Sequence, residues 1–143
     1  MSGKKTNATH SKTAILYTHV AIGAVLGGLA RWLASLVIPS VSGFPLATLF
    51  VNVTGSFIIG FYGTISGPDG RWFASAEQRQ FVMTGFCGGY TTFSSFSLET
   101  VRLLRAGLTQ TALLNIGVSV VTWLLAVWLG HVVASRLNRL KGD

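Results

Sequence analysis

The stretch Gly85-Phe-Cys-Gly-Gly-Tyr-Thr-Thr-Phe-Ser-Ser-Phe-Ser-Leu-Glu99 decides how this chain folds. It places glycines and hydroxyls in the middle of a segment, about 79–105, that begins and ends as an apolar helix. Outward from it lie three further apolar segments, about 14–37, 46–66 and 111–134. Each approaches or exceeds the roughly 20 residues a helix needs to cross a hydrocarbon core. Half of the 143 residues are apolar and only 10% are charged. With a mean hydropathy of +0.55, lipid is the expected solvent, because a soluble body this small exposes much of its area and needs more charge to cover it. The expectation is an all-α membrane protein of four transmembrane helices in one domain, 14–135. A basic tail, 1–13, precedes it and another, 136–143, follows.

The net charge of +7 does not point to nucleic acid. The basic residues sit at segment ends and form no stripe. Lys4, Lys5 and Lys12 precede the first segment, and Arg136, Arg139 and Lys141 follow the last. Four spans put both termini on one side. With Arg71 and Arg79 the cations there number eight, against Arg102 and Arg105 opposite, which favours termini in the cytoplasm. The first apolar segment is too long for a signal peptide and has no small-residue cleavage site after it. The single cysteine, Cys87, reads as a buried thiol, and His10, His19 and His131 have no metal-ligand spacing. No Ser/His/Asp grouping, phosphate loop or carboxylate pair is present, so an enzyme is not expected.

A polar run at membrane depth needs a reason, since unsatisfied polar groups in hydrocarbon cost several kcal/mol each. Gly88-Gly89 followed by Tyr90-Thr91-Thr92 should interrupt the third helix mid-membrane, and carbonyls freed by a break can hold a cation. Close packing through Gly85-xxx-Gly89 is the simpler reading of the spacing. Phe93 and Phe96 share a helical face, with Ser94 and Ser97 on the neighbouring row and Ser95 between them. Inward ring edges, which are electropositive, would suit a small hard anion. Spacing alone favours the simpler reading, two rings in a core or facing lipid. Asn52 offers two amide donors to an anion, or a hydrogen bond between helices. Arg31 reads as a snorkelling residue or as a vestibule cation. Glu99 has Arg102 and Arg31 as candidate partners. Ser119 and Thr122 extend a polar path or bond back to their own helix.

Three of these strings together, Gly28-Leu-Ala-Arg-Trp32, Thr48-Leu-Phe-Val-Asn-Val-Thr-Gly55 and the run 85–99, resemble the Fluc (CrcB) family of fluoride channels. The resemblance covers about residues 23–129. It implies an antiparallel, dual-topology homodimer in a bacterial inner membrane, with two fluoride pores at the subunit interface. It also implies a structural sodium ion at the dimer centre, on carbonyls matching Gly88 and Thr91. Phe93, Phe96 and Asn52 match pore residues and Arg31 a vestibule arginine. Ser94, Ser95, Ser97, Glu99, Ser119 and Thr122 fall along the polar track and outer pore. The implied function is passive export of cytoplasmic fluoride. A second reading is a small proton-coupled multidrug transporter of four spans, which needs a membrane-embedded carboxylate. A third is a non-transporting membrane subunit.

Overall fold

Apolar composition over sufficient length sets three of the helices. In a computed structural model, which describes residues 3–68 and 70–139, these are α1 (Gly3–Val37), α2 (Leu46–Ile65) and α6 (Thr109–Arg139). Each contains a stretch long and apolar enough to cross a membrane: Lys12–Val37, Leu46–Ile65 and Thr109–Arg139. The side chains of Lys4, Lys5 and His10, and the whole of Lys141, lie outside what is described. The backbone of the basic start is helical from Gly3 and continuous with α1, ahead of the apolar stretch that begins at Lys12. Likewise α6 runs on to Arg139.

Pro39 forbids further helix after α1, and a tight turn follows in which Val41 and Phe44 pair. Its corner uses two left-handed residues, Ser42 (φ 50°) and Gly43 (φ 79°). Only glycine takes that conformation without steric cost.

Between α2 and α6 the chain is helical in pieces. A capping box opens α3 (Ala76–Gln80): the Ser75 hydroxyl accepts from the Gln78 N–H at 3.2 Å, and the Ser75 N–H donates to Gln78 Oε1 at 3.0 Å. The helix widens to a π-helix over Phe81–Cys87 and closes with one α-turn, α4 (Gly88–Tyr90). Thr91 (ψ 158°) and Thr92 (φ −152°) are extended. Helix α5 (Phe93–Arg105) then starts with the Thr92 hydroxyl accepting from the Ser95 N–H at 3.1 Å, as an N-cap.

Within the run 88–92, where an interruption is expected, the glycines are helical and the two threonines carry the extended backbone. Gly88 faces open space, but Gly89 and Gly85 before it are held against α1 by packing. A Cβ on Gly89 would stand 2.3 Å from the Ala24 carbonyl oxygen, and one on Gly85 2.7 Å from that of Val20. From α1, Gly27 meets the Phe86 carbonyl in the same way, at 2.1 Å. Glycines therefore let two backbones touch. The pair α2 and α6 repeats the device, with Gly60 against Val127 and Gly130 against Phe57.

Burial is distributed for lipid. Large apolar side chains such as Val25, Leu33, Leu124 and Trp128 face outward, while Asn52, Thr92, Thr100, Asn115 and Ser119 are buried. Those five polar side chains are hydrogen-bonded inside, and apolar surface outside meets a solvent as apolar as itself.

Candidate functional site

The interruption at Thr91-Thr92 is fixed by Asn52, from α2. The Thr92 N–H donates to Asn52 Oδ1 at 2.7 Å, and Asn52 Nδ2 donates to the Thr92 carbonyl at 3.0 Å. In a continuous helix that N–H would serve the Gly88 carbonyl four residues back. Its diversion leaves the Gly88 carbonyl without a helical donor. The Thr91 N–H and hydroxyl both turn back to the Cys87 carbonyl, at 2.9 and 2.8 Å. The Thr91 carbonyl points elsewhere, with Arg31 Nη1 3.5 Å away.

Gly88 is exposed, and nothing lies within 4 Å of where its Cβ would be. Two carbonyls released at a helix break, one on an open face, are hard oxygen donors of the kind a small cation takes. The residues therefore fit a sodium ion chemically. Among the described residues no group of three or more His, Cys, Asp or Glu could hold a metal.

Beyond the break the rings of Phe93 and Phe96 are 5.4 Å apart and tilted by 51°. Phe93 is 70% exposed on the outer face, whereas Phe96 is 7% exposed and turns inward. There it meets Trp123 of α6 edge-on, at 5.0 Å and 75°. Asn52, Thr91, Thr92, Phe93 and Trp123 line one groove of about 340 Å³. Ser94 and Ser95 are not among its lining residues but bond to one of them, their hydroxyls 3.2 and 3.0 Å from the Thr92 hydroxyl. Ser97 is half-buried on the next turn.

A buried ladder ties α5 to α6. Ser119 Oγ donates to Asn115 Oδ1 at 3.4 Å, Asn115 Nδ2 to Thr100 Oγ1 at 2.9 Å, and that hydroxyl to the Phe96 carbonyl at 2.8 Å. Ser119 thus joins the site, while Thr122 bonds back to the Val118 carbonyl at 2.6 Å. Glu99 takes its hydrogen bond from Thr48, at 2.8 Å, and not from an arginine. Its Oε2 is enclosed without a hydrogen-bond partner. Arg102 shares a cavity of about 540 Å³ with Thr48 and Glu99, and Arg31 is engaged at Thr91 instead.

Sequence reasoning missed Thr48, Thr92, Thr100 and Trp123 as members of the site. Asn115 was legible as a polar residue inside an apolar span. Trp123 carried no such signal, because a tryptophan in a membrane helix reads as packing or as an interfacial anchor.

Residues 18–131 match the family described as "CrcB-like protein, Camphor Resistance (CrcB)". The chain is 66% identical over 131 residues to the "Fluoride-specific ion channel FluC 1" of Rhodopseudomonas palustris, covering 90% of this chain and 93% of that one. It is 59% identical over 135 residues to the protein of the same description from Bradyrhizobium diazoefficiens, covering 94% and 95%. With the "Fluoride-specific ion channel FluC" of Methylocella silvestris it shares 52% over 128 residues, covering 88% and 98%.

Proposed function

The chain belongs to the CrcB family, and from that premise we propose how its residues conduct fluoride. It is a multi-pass membrane protein and a fluoride channel, not an enzyme. The multidrug-transporter reading falls with the family match.

The channel carries four spans, the third formed by α3 to α5 and interrupted at half-depth at Thr91-Thr92. Two chains pair antiparallel in a bacterial inner membrane, so that Phe93 and Gly88, both exposed on the single chain, become covered by the partner. Two pores then run along the interface.

The physical task is to remove water from a small, strongly hydrated anion without binding it so tightly that it cannot leave. Arg31 draws anions toward the break. Inside, the electropositive edges of Phe93 and Phe96 meet the ion without a full charge. The hydroxyls of Ser94, Ser95 and Ser97 donate beside them, and Asn52 adds the one N–H that Thr92 leaves free. Ser119 and Glu99 continue the polar route outward, and Thr122, bonded back to its own helix, is left out of it. The carbonyls of Gly88 and Thr91 would hold sodium, each presented twice by a two-fold axis. When bound, that ion supplies fixed positive charge where no cationic side chain is needed.

The observation that carries the route is the ring pair, 5.4 Å apart, directly after a helix break pinned by Asn52. Reconstitution into liposomes with a fluoride electrode, run beside chloride, tests it: efflux of fluoride and not of chloride is expected. Purified protein that conducts neither would point to a missing partner subunit and overturn the reading.

A further inference from the structure

Among the described residues one buried side-chain donor has no acceptor. Trp123 Nε1 is enclosed by protein, yet it has no hydrogen-bond partner. An indole N–H is a donor only, and a buried donor left unpaired costs the desolvation of that group. Such an atom in a native fold calls for an explanation.

Its surroundings narrow the answer. The polar groups of the site bond to one another and not to the indole: Asn52 to the Thr92 carbonyl, Thr100 to the Phe96 carbonyl, and Ser119 to Asn115 Oδ1. The Trp123 ring packs at 75° against Phe96, the buried member of the ring pair. It also lines the 340 Å³ groove with Asn52, Thr91, Thr92 and Phe93. Among the described residues Trp123 is thus the unpaired N–H donor that α6 sets beside these rings, and its natural acceptor is something that passes through.

We propose that Trp123 is an anion-contacting residue of the channel, its indole N–H donating to fluoride as the ion moves past Phe96. The inference rests on the reading of Phe96 as a pore residue. Fluoride is small, hard and a strong acceptor, so a single short N–H bond replaces part of its lost hydration. Chloride, larger and a weaker acceptor, gains less from the same donor and fits the enclosed position poorly. The indole thus contributes to selectivity as well as to passage. Because Nε1 is enclosed, the ring must tilt slightly to meet the ion, on the side where it lines the groove.

The test uses the full-length channel with Trp123→Phe, which keeps a ring against Phe96 and removes the donor. Fluoride efflux from liposomes should fall at least tenfold, with the melting temperature and oligomeric state unchanged. Independently, indole ¹⁵N–¹H resonances of the unaltered protein are followed on adding sodium fluoride or sodium chloride. One resonance, assigned by its loss in Trp123→Phe, should move in fluoride and stay in chloride. Trp32, Trp72 and Trp128 serve as internal references. Efflux in the variant equal to that of the unaltered channel overturns the proposal, as does an indole resonance indifferent to fluoride, which would mark an N–H engaged only by the Phe96 ring. Fluoride conduction by the unaltered protein is the separate control: its absence would fault the channel reading and not Trp123.

Discussion

Asn52 and Thr92, 40 positions apart, form a closed pair: the side-chain amide gives one hydrogen bond to the backbone carbonyl and takes one from the backbone N–H, at 3.0 and 2.7 Å. The pair replaces a helical hydrogen bond and holds the chain extended where two helices would otherwise fuse. Asn52→Asp puts a carboxylate oxygen against the Thr92 carbonyl and leaves that carbonyl without its donor. An orphaned buried group of this kind costs about 1–3 kcal/mol. Fluoride efflux should be abolished, with a lower melting temperature and the dimer retained. Efflux at the unaltered rate would remove the amide from the mechanism.

The ring pair separates packing from conduction. Phe96 is buried against Trp123, so Phe96→Ile should cost stability on the scale of a lost aromatic pair, about 0.5–1.5 kcal/mol beyond the change in area. Phe93 is 70% exposed on the single chain, so Phe93→Ile should barely alter the fold of the protomer. Both should reduce fluoride efflux sharply, because both lose a ring edge. An effect on rate that merely tracks the melting temperature would make the rings structural only.

Glycine roles divide by what each faces. At Gly89 a Cβ would lie 2.3 Å from the Ala24 carbonyl oxygen, while at Gly28 it would meet nothing within 4 Å. Gly89→Ala should force α1 and α4 apart and cost about 1–3 kcal/mol as an overpacked contact. Gly28→Ala should leave protomer stability within about 0.5 kcal/mol, as a change in open space does. Thermal melting in detergent measures both, and equal shifts would show that these helices do not touch through Gly89.

Much of this was legible before any coordinates. Apolar length marked α1, α2 and α6, and the intrusion of Gly88 through Ser97 marked where the third apolar segment fails as a single helix. Its mechanism was not legible. Two adjacent glycines look like the point of unwinding, because their backbone entropy weakens a helix. The contact of Gly89 with Ala24 works against that tendency, and such a contact exists only in three dimensions. The partner of Glu99 was hidden for the same reason. Charge suggests arginine, yet the hydroxyl of Thr48 is the group that α2 carries to 2.8 Å. Of the pairings that fix the site, Asn52 with Thr92 and Phe96 with Trp123 join residues remote in sequence, and no local spacing encodes them.

The cation proposed for Gly88 and Thr91 makes the last prediction, and the two residues respond differently. Nothing lies within 4 Å of a Cβ built on Gly88, so Gly88→Ala should be accommodated by the single chain. Any harm must then come through the partner or through the ion between them. A ligand that binds only the folded dimer stabilises it by mass action, by about 2.7 kcal/mol at a hundredfold excess over its Kd. The dimer of the unaltered protein should therefore melt higher as N-methylglucamine is replaced by sodium at constant ionic strength. Gly88→Ala should flatten that dependence without lowering the melting temperature in N-methylglucamine. Arg31 Nη1 stands 3.5 Å from the Thr91 carbonyl, so it competes for the same oxygen, and Arg31→Gln should steepen the sodium dependence by removing a nearby positive charge. A melting temperature indifferent to sodium in all three proteins would mean that these carbonyls are satisfied by the protein itself.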